Sequence, residues 1–312
     1  MVRYVGIGKE TTYGTAVAAT RYLEAIASIK PDQKWIVPNP IAQRAFRKRN
    51  LGPYRAQGTI GAFPVEPENI GELLCGVLGQ DSVTNPYAGV YLHTFSAADT
   101  LPSHTIRLGV EQIERILPGS LVESLKLNFA YNKDAEAQAE IYSGFLETKA
   151  AIGTPSISAL QALNPALLSS TLNIGGASKK DIVYDAEITI KNHIPFDKAT
   201  IDGRTFQKKR YGHREITGKL SMFFDDTAEY DRFIAGTSFG LTLTSFGPII
   251  ASTYCYFLDV ELWNCVYEKD LAPDVKPQNE PLVVDAPFKA FYDVGQAKDI
   301  AVLLENTISA QY

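Results

Sequence analysis

Apolar residues fall on every second position along much of the chain. Between Tyr22 and Lys30 they are Leu23, Ala25, Ala27 and Ile29, the spacing of a half-buried strand. Val183–Lys191 has the same pattern, with Ala186, Ile188 and Ile190 on one face. Arg55–Val65 reads as a strand in which Gly58 marks a bulge or a close backbone approach. Further strands are predicted at His104–Val110, Leu121–Tyr131 and Ala137–Tyr142, then at Phe239–Thr244, Thr253–Val266, Leu282–Tyr292 and Ile300–Asn306. Helical spacing occurs twice. In Pro67–Gly79, Ile70, Leu73, Leu74, Val77 and Leu78 share a face, and Gly79 stops the run. In the other stretch, Asp225-Asp226-Thr227 offers N-cap chemistry ahead of Tyr230, Phe233 and Ile234. The pattern predicts a mainly β protein with one flanking helix in each half.

The two halves share more than a pattern. Arg44–Val77 recurs from Arg204 onward at a constant offset of 160, with identities Arg44/Arg204, Phe46/Phe206, Lys48/Lys208, Gly52/Gly212, Gly58/Gly218, Phe63/Phe223 and Gly76/Gly236. A repeat of this length points to a duplicated structural unit. The preceding strand also has a copy, in which Ala25/Ala186, Ile29/Ile190 and Lys30/Lys191 match at offset 161. Ala130–Asp134 echoes Val266–Asp270 at offset 136, so the connecting loops differ in length. Ala150–Ser169, with Pro155 and Pro165, reads as a linker. The expected domains are 1–160, which carries an N-terminal arm, and 161–312.

Each strand pair encloses a long loop, Pro31–Arg55 and Pro195–Arg214, and long loops in compact domains usually make contacts. Both loops are basic. Arg44, Arg47, Lys48, Arg49 and Arg55 lie in the first, and Arg204, Lys208, Lys209, Arg210 and Arg214 in the second. Interleaved Phe46, Tyr54, Phe206 and Tyr211 would suit a nucleic-acid stacking patch, and solvated loops would have no role. We place first the reading in which these residues meet a neighbouring subunit, because the run occurs twice.

Bulk properties narrow the classes. The net charge of −5 lacks the basic surplus that phosphate binding needs. A hydrophobic share of 45% with 21% charged residues is that of an ordinary folded chain. No apolar run has signal-peptide or membrane-span length. Cys75, Cys255 and Cys265 sit in apolar surroundings without metal spacing and are expected as buried, reduced thiols. Gly6-Ile7-Gly8 is a poor dinucleotide site and reads as a glycine-rich loop or arm. His93, His104, His193 and His213 show no zinc-ligand spacing. The Asp225-Asp226 pair is accounted for as a cap, and no G-x-S-x-G elbow is present. No catalytic, cofactor or metal site is expected.

Several segments resemble the tail tube proteins of long-tailed, siphovirus-type bacteriophages. These are Gly6–Glu24 at the start, Pro67-Glu-Asn-Ile-Gly-Glu-Leu-Leu, Leu101-Pro-Ser-His-Thr-Ile, Pro118-Gly, Arg214-Glu-Ile-Thr-Gly-Lys-Leu, Glu229-Tyr-Asp-Arg-Phe-Ile-Ala-Gly-Thr and Pro287-Phe-Lys-Ala-Phe-Tyr-Asp. The resemblance spans nearly the whole chain and rests on the order of the segments. It implies two tandem antiparallel β-sandwich or barrel folds whose sheets join those of neighbours into a ring barrel. Rings stack into the tube through which DNA leaves the capsid, and the partners implied are the chain itself and tape-measure, terminator and baseplate or tip proteins. With two folds per chain, three copies would complete a pseudo-sixfold ring, the alternative being a hexamer whose halves do not both face the lumen. At −5 per chain such a ring carries −15, which would keep DNA from adhering to the lumen. The expected location is the virion tail, after assembly in the host cytoplasm. Competing readings are a monomeric carbohydrate-binding β-sandwich and another self-assembling β protein such as a tail terminator or surface-layer subunit.

Overall fold

The computed structural model describes residues 3–38, 46, 48–159, 162–164, 170–197, 203–269, 271–272 and 281–312. The first half contains β1 (Arg3–Lys9), β2 (Arg21–Leu23), β3 (Ala27–Ile36), β4 (Asn50–Pro64), α1 (Gly71–Leu78), β5 (Gly79–Tyr87), β6 (Val90–Ala97), β7 (His104–Val110), β8 (Ile113–Ala130), β9 (Glu136–Ser143) and β10 (Thr148–Ala151). The second contains β11 (Thr171–Ile174), β12 (Ala177–Ser178), β13 (Val183–Lys191), β14 (Glu215–Phe223), α2 (Ala228–Ala235), β15 (Phe239–Ala251), β16 (Tyr254–Tyr267), β17 (Val283–Phe291) and β18 (Ile300–Asn306). The fold is mainly β, and every ladder is antiparallel.

One strand in each half belongs to two runs of neighbours. β8 begins between β7 and β10, and beyond Pro118-Gly119 it pairs with β9. Gly119 has a positive φ of 64°, a conformation that glycine adopts without steric cost, and the neighbours change there. The first half therefore reads β2–β1–β7–β8–β10 and β3–β4–β9–β8. The second half reads β12–β11–β15–β16–β18 and β13–β14–β17–β16. Neighbour order is the same in both.

The repeated glycines lie at matching points of these ladders. Gly58 stands between Ile29 and Ile141, and Gly218 between Ile188 and Phe288. Ile29 therefore corresponds to Ile188, an offset of 159 rather than the 161 that residue identity suggests. The difference is one strand period, so the same face stays buried.

The halves are joined by two further ladders. Ser124–Ala130 of β8 pairs with Asp185–Lys191 of β13, and β6 pairs with β18. The buried Asn192 side chain donates to the carbonyls of Val77 (3.0 Å) and Val122 (3.2 Å) in the other half. One apolar core runs through both halves.

The helices differ in their surroundings. α1 is shorter than the Pro67–Gly79 pattern and wholly buried against β8, β5, β6 and β1, with Gly79 (φ 105°) closing it in the left-handed conformation. α2 buries only Glu229. Its N-cap is Thr227, which makes no side-chain cap bond, and the carboxylate of Asp226 before it accepts the Ala228 N–H at 2.9 Å. Two expectations are corrected. Gly6-Ile7-Gly8 lies in β1, a buried strand, where a Cβ on Gly8 would meet the Ala18 carbonyl oxygen at 2.2 Å. Both ends of the Pro31–Arg55 stretch belong to strands, Pro31–Ile36 to β3 and Asn50–Arg55 to β4. Cys75 and Cys265 are buried, Cys255 is half-buried, and all are free thiols.

Glu66 is buried ahead of α1 and takes a hydrogen bond from the Asn69 amide. Burial, then the charge of Glu24, and then that of Glu68, outweigh that bond and raise its carboxyl to about 7 from 4.5. A folded pKa above the unfolded value gives stability that is complete below pH 4.5 and lost as pH rises through 7. Glu66→Gln should accordingly raise the unfolding free energy by about 2 kcal/mol at pH 8, with the gain shrinking toward pH 5. Urea melts at both pH values measure this, and a pH-independent difference would contradict it.

Candidate assembly interface

The second basic loop folds back onto the first half of its own chain. Arg204 donates from Nε to the Gly52 carbonyl at 2.9 Å, and its own carbonyl accepts the Tyr54 N–H at 2.8 Å. The Phe206 N–H donates to Gly144 at 2.8 Å, and the Phe206 ring packs on Phe196, which stacks on Tyr142. Lys209 and Tyr211 both donate to the Leu101 carbonyl, at 2.9 and 3.0 Å. Lys209 also lies 5.7 Å from the centre of the Tyr13 ring, and burial lowers its pKa against the pull of Glu10. Apolar side chains anchor the loop, with Ile194, Phe196 and Phe206 all buried. Under part of it an open cleft of about 310 Å³ remains, with Asp32, Lys34 and Tyr54 on one wall and Phe196 and Phe206 on the other.

The basic residues singled out by sequence divide into three groups. Arg44 and Arg47 lie outside the described residues. Arg55, Arg204, Lys209 and Arg214 have partners in their own chain: Arg55 bonds Asp32 at 3.2 Å across β3–β4, and Arg214 bonds Asp299 at 2.7 Å. Lys48, Arg49, Lys208 and Arg210 are exposed, and the Arg49 guanidinium covers the Trp35 ring at 4.7 Å. Sequence reasoning treated Phe46 and Phe206 as candidate stacking residues and missed that an aromatic residue in a basic run can be an anchor.

The first-half arm has no such packing among the described residues. Phe46 is 66% exposed and Phe206 5%. Carried past the ends of the ladders, the offset of 159 makes Trp35 the counterpart of Ile194 and Val37 that of Phe196, and again the first-half member is exposed where its counterpart is buried. The strands differ in the same sense. β13 is paired on both edges, by β14 and β8, whereas among the described residues β3 is paired only by β4.

His193, His213 and Glu215 hold their ligand-type atoms within 4.8 Å of one another at the neck of the second loop. The imidazoles are stacked, with centroids 4.3 Å apart and planes 20° from parallel, so their in-plane lone pairs do not converge on one point. Both Glu215 oxygens are engaged, by His193 at 2.8 Å and by Lys289. Those two contacts, Lys289 first, hold the Glu215 carboxyl down at about 2. The arrangement is a hydrogen-bonded ion-pair cluster that ties the loop neck to β17.

Among the described residues the chain thus has ladders shared between its halves, a β3 edge with no partner strand and exposed Trp35, Val37 and Phe46. Residues 2–290 match the family model for phage tail tube protein, and the chain belongs to that family. It is therefore a structural component of a bacteriophage tail, a class that assembles with its own copies and with other tail components. Comparison with curated proteins finds no match. No helix among the described residues is long and apolar enough to cross a membrane.

Proposed function

We propose that the chain polymerises as stacked rings of three copies with pseudo-sixfold symmetry, forming the hollow tube that conducts DNA from capsid to host. The observation that carries this reading is the edge of β3. In the second half the same edge, on β13, is filled by Ser124–Ala130 of β8. Val122 and Tyr267 occupy matching ladder positions, facing Ile141 and Phe288. In a ring, the second half of one copy supplies the strand beside β3 of the next, as β8 of the first half supplies the strand beside β13 within the chain. Closure removes an open edge that would otherwise recruit strands indiscriminately.

Domains 1–160 and 161–312 are then successive ring positions produced by an internal duplication, in the siphovirus manner. Arg44, Arg47, Lys48, Arg49, Lys208 and Arg210 remain for contacts between rings, and tape-measure, terminator and baseplate proteins for the tube's interior and ends. DNA passes without specific binding along a tube whose chains each carry −5. Assembly takes place in the host cytoplasm. Electron microscopy of the purified protein tests the proposal, with hollow tubes whose rings average to three copies as the expected result. A protein that stays monomeric at all concentrations, or rings that average to six copies, would overturn it.

A further inference from the structure

We propose that the polar face of one continuous sheet is the wall that passing DNA meets, and that Glu187 and Asp285 hold the wall lysines Lys126 and Lys219 away from the phosphates. The proposal rests on the ring reading and names the surface of the chain that faces the cargo. The sheet runs β3–β4–β9–β8–β13–β14–β17–β16, because the β8–β13 ladder joins the two four-stranded runs side by side. Its register keeps one set of side chains on one face. Gln138, Lys126, Thr189, Thr217 and Lys289 are successive partners from β9 to β17. The opposite face carries Ile60, Ile141, Leu127, Ile188, Leu220 and Phe288, all in the core that α1 and the remaining strands complete. Phe196 covers the polar face at its Tyr142 end, while Gln57, Thr59, Gln138 and Asp285 are exposed along it.

Ring closure decides which face looks inward. Joining the second half of one copy to β3 of the next continues this sheet, and three copies of eight strands close it as a barrel of twenty-four. At a spacing of about 4.8 Å and a tilt of about 40° such a barrel is about 48 Å across, wide enough for duplex DNA. The core side of the sheet carries the bulk of each chain, which cannot fit inside, so the polar face lines the lumen. Cations on that face are compensated locally. Lys126 pairs with Glu187 at 2.5 Å across β8–β13, and Lys219 with Asp285 at 3.3 Å across β14–β17. Lys289 pairs with Glu215, and Arg55 with Asp32 at 3.2 Å. A lysine gains affinity for DNA by releasing counterions from the phosphates, and one already neutralised by a carboxylate must first give up that partner. These pairs, rather than the net charge of −5 alone, keep the wall from holding DNA.

Glu187→Gln with Asp285→Asn frees both lysines and tests this on tubes of the full chain. The two pairs are partly exposed and add little to stability, so melts and tube assembly should match wild type. Asp285→Asn alone, at the more exposed pair, should act in the same direction with a smaller effect. A control, Asp99→Asn with Asp225→Asn, makes the same change in charge at exposed carboxylates outside the eight strands. The tubes are mixed with a short fluorescent duplex at low salt and pelleted. Those of the double wall variant should retain about tenfold more DNA than wild-type or control tubes, the excess falling as salt rises. That DNA should resist a nuclease fixed to beads, which stays outside the tube. Equal retention by wall variant and control, no excess in either wall variant, or excess DNA that the bead-bound nuclease digests would overturn the assignment and leave the ring reading standing. If microscopy shows no rings for wild type, the ring reading fails and the assignment falls with it.

Discussion

Replacing Phe206 by alanine lowers the unfolding free energy of the isolated chain by about 3–4 kcal/mol, and replacing Phe46 by alanine leaves it within about 0.5 kcal/mol. The two residues share a sequence context and differ in surroundings. Phe206 is buried on Phe196 and the Gly144 backbone, so truncation removes apolar contact and leaves a cavity between the halves. Phe46 is exposed, and its removal costs the monomer nothing of that kind. The order reverses when assembly is measured, because Phe46→Ala should cut tube yield while the monomer stays folded. Urea titration of both variants, paired with sedimentation of assembled material, separates the effects. Equal destabilisation by the two substitutions would mean that the first-half arm packs within its own chain after all.

Gly58→Ala is expected to cost about 3 kcal/mol, at the upper end of what forced overpacking costs. An added Cβ would sit 1.9 Å from the Ser28 carbonyl oxygen and 2.6 Å from the Ile29 Cα, both backbone atoms of β3. No rotamer change relieves such a clash, so the β3–β4 spacing must open. Gly218→Ala should act the same way on β13, through the Glu187 carbonyl oxygen at 2.5 Å. Gly61→Ala is the internal control, since its nearest neighbour would be the Ile26 carbonyl oxygen at 3.2 Å. Hydrogen exchange should show amides of Ala27–Ile36 losing protection first in Gly58→Ala. If Gly58→Ala and Gly61→Ala behave alike, close approach is not why glycine stands at position 58.

These two glycines show what a sequence can reveal about such a fold. A residue with no side chain, repeated at fixed distance between alternating apolar positions, marks backbone contact, and both ladders have it. His104–Val110 and Ile300–Asn306 are strands with the expected ends. Other elements lacked a signal. β1 is buried on both faces, so Val5, Gly6, Ile7 and Gly8 do not alternate. The β5–β6 hairpin is mostly exposed on β5 and follows α1 without a break, so nothing polar or apolar marks its start. The apolar alternation predicts β8 only from Leu121, past Pro118-Gly119. In the structure it is the point where one strand passes from one set of neighbours to another. Of the candidate interface, sequence shows one part. The basic runs and their repetition were visible in sequence, but the apolar anchors were not, because burial of Phe206 depends on residues of the other half. The offset of 161 for the first strand shows the same limit, since identity aligned similar residues and hydrogen bonding aligned different ones.

The unequal covering of the two helices has a consequence for how rings sit on one another. α1 is sealed under β5–β6, whereas α2 leaves most of its surface, including Ile234, open. In the proposed ring, these two surfaces would alternate around the circumference. A turn of 60° would bring a sealed position over an open one, and only a turn of 120° would restore the match. Each added ring would then have three equivalent rotational settings instead of six, a coarser ratchet that restricts the twist a growing tube can take up.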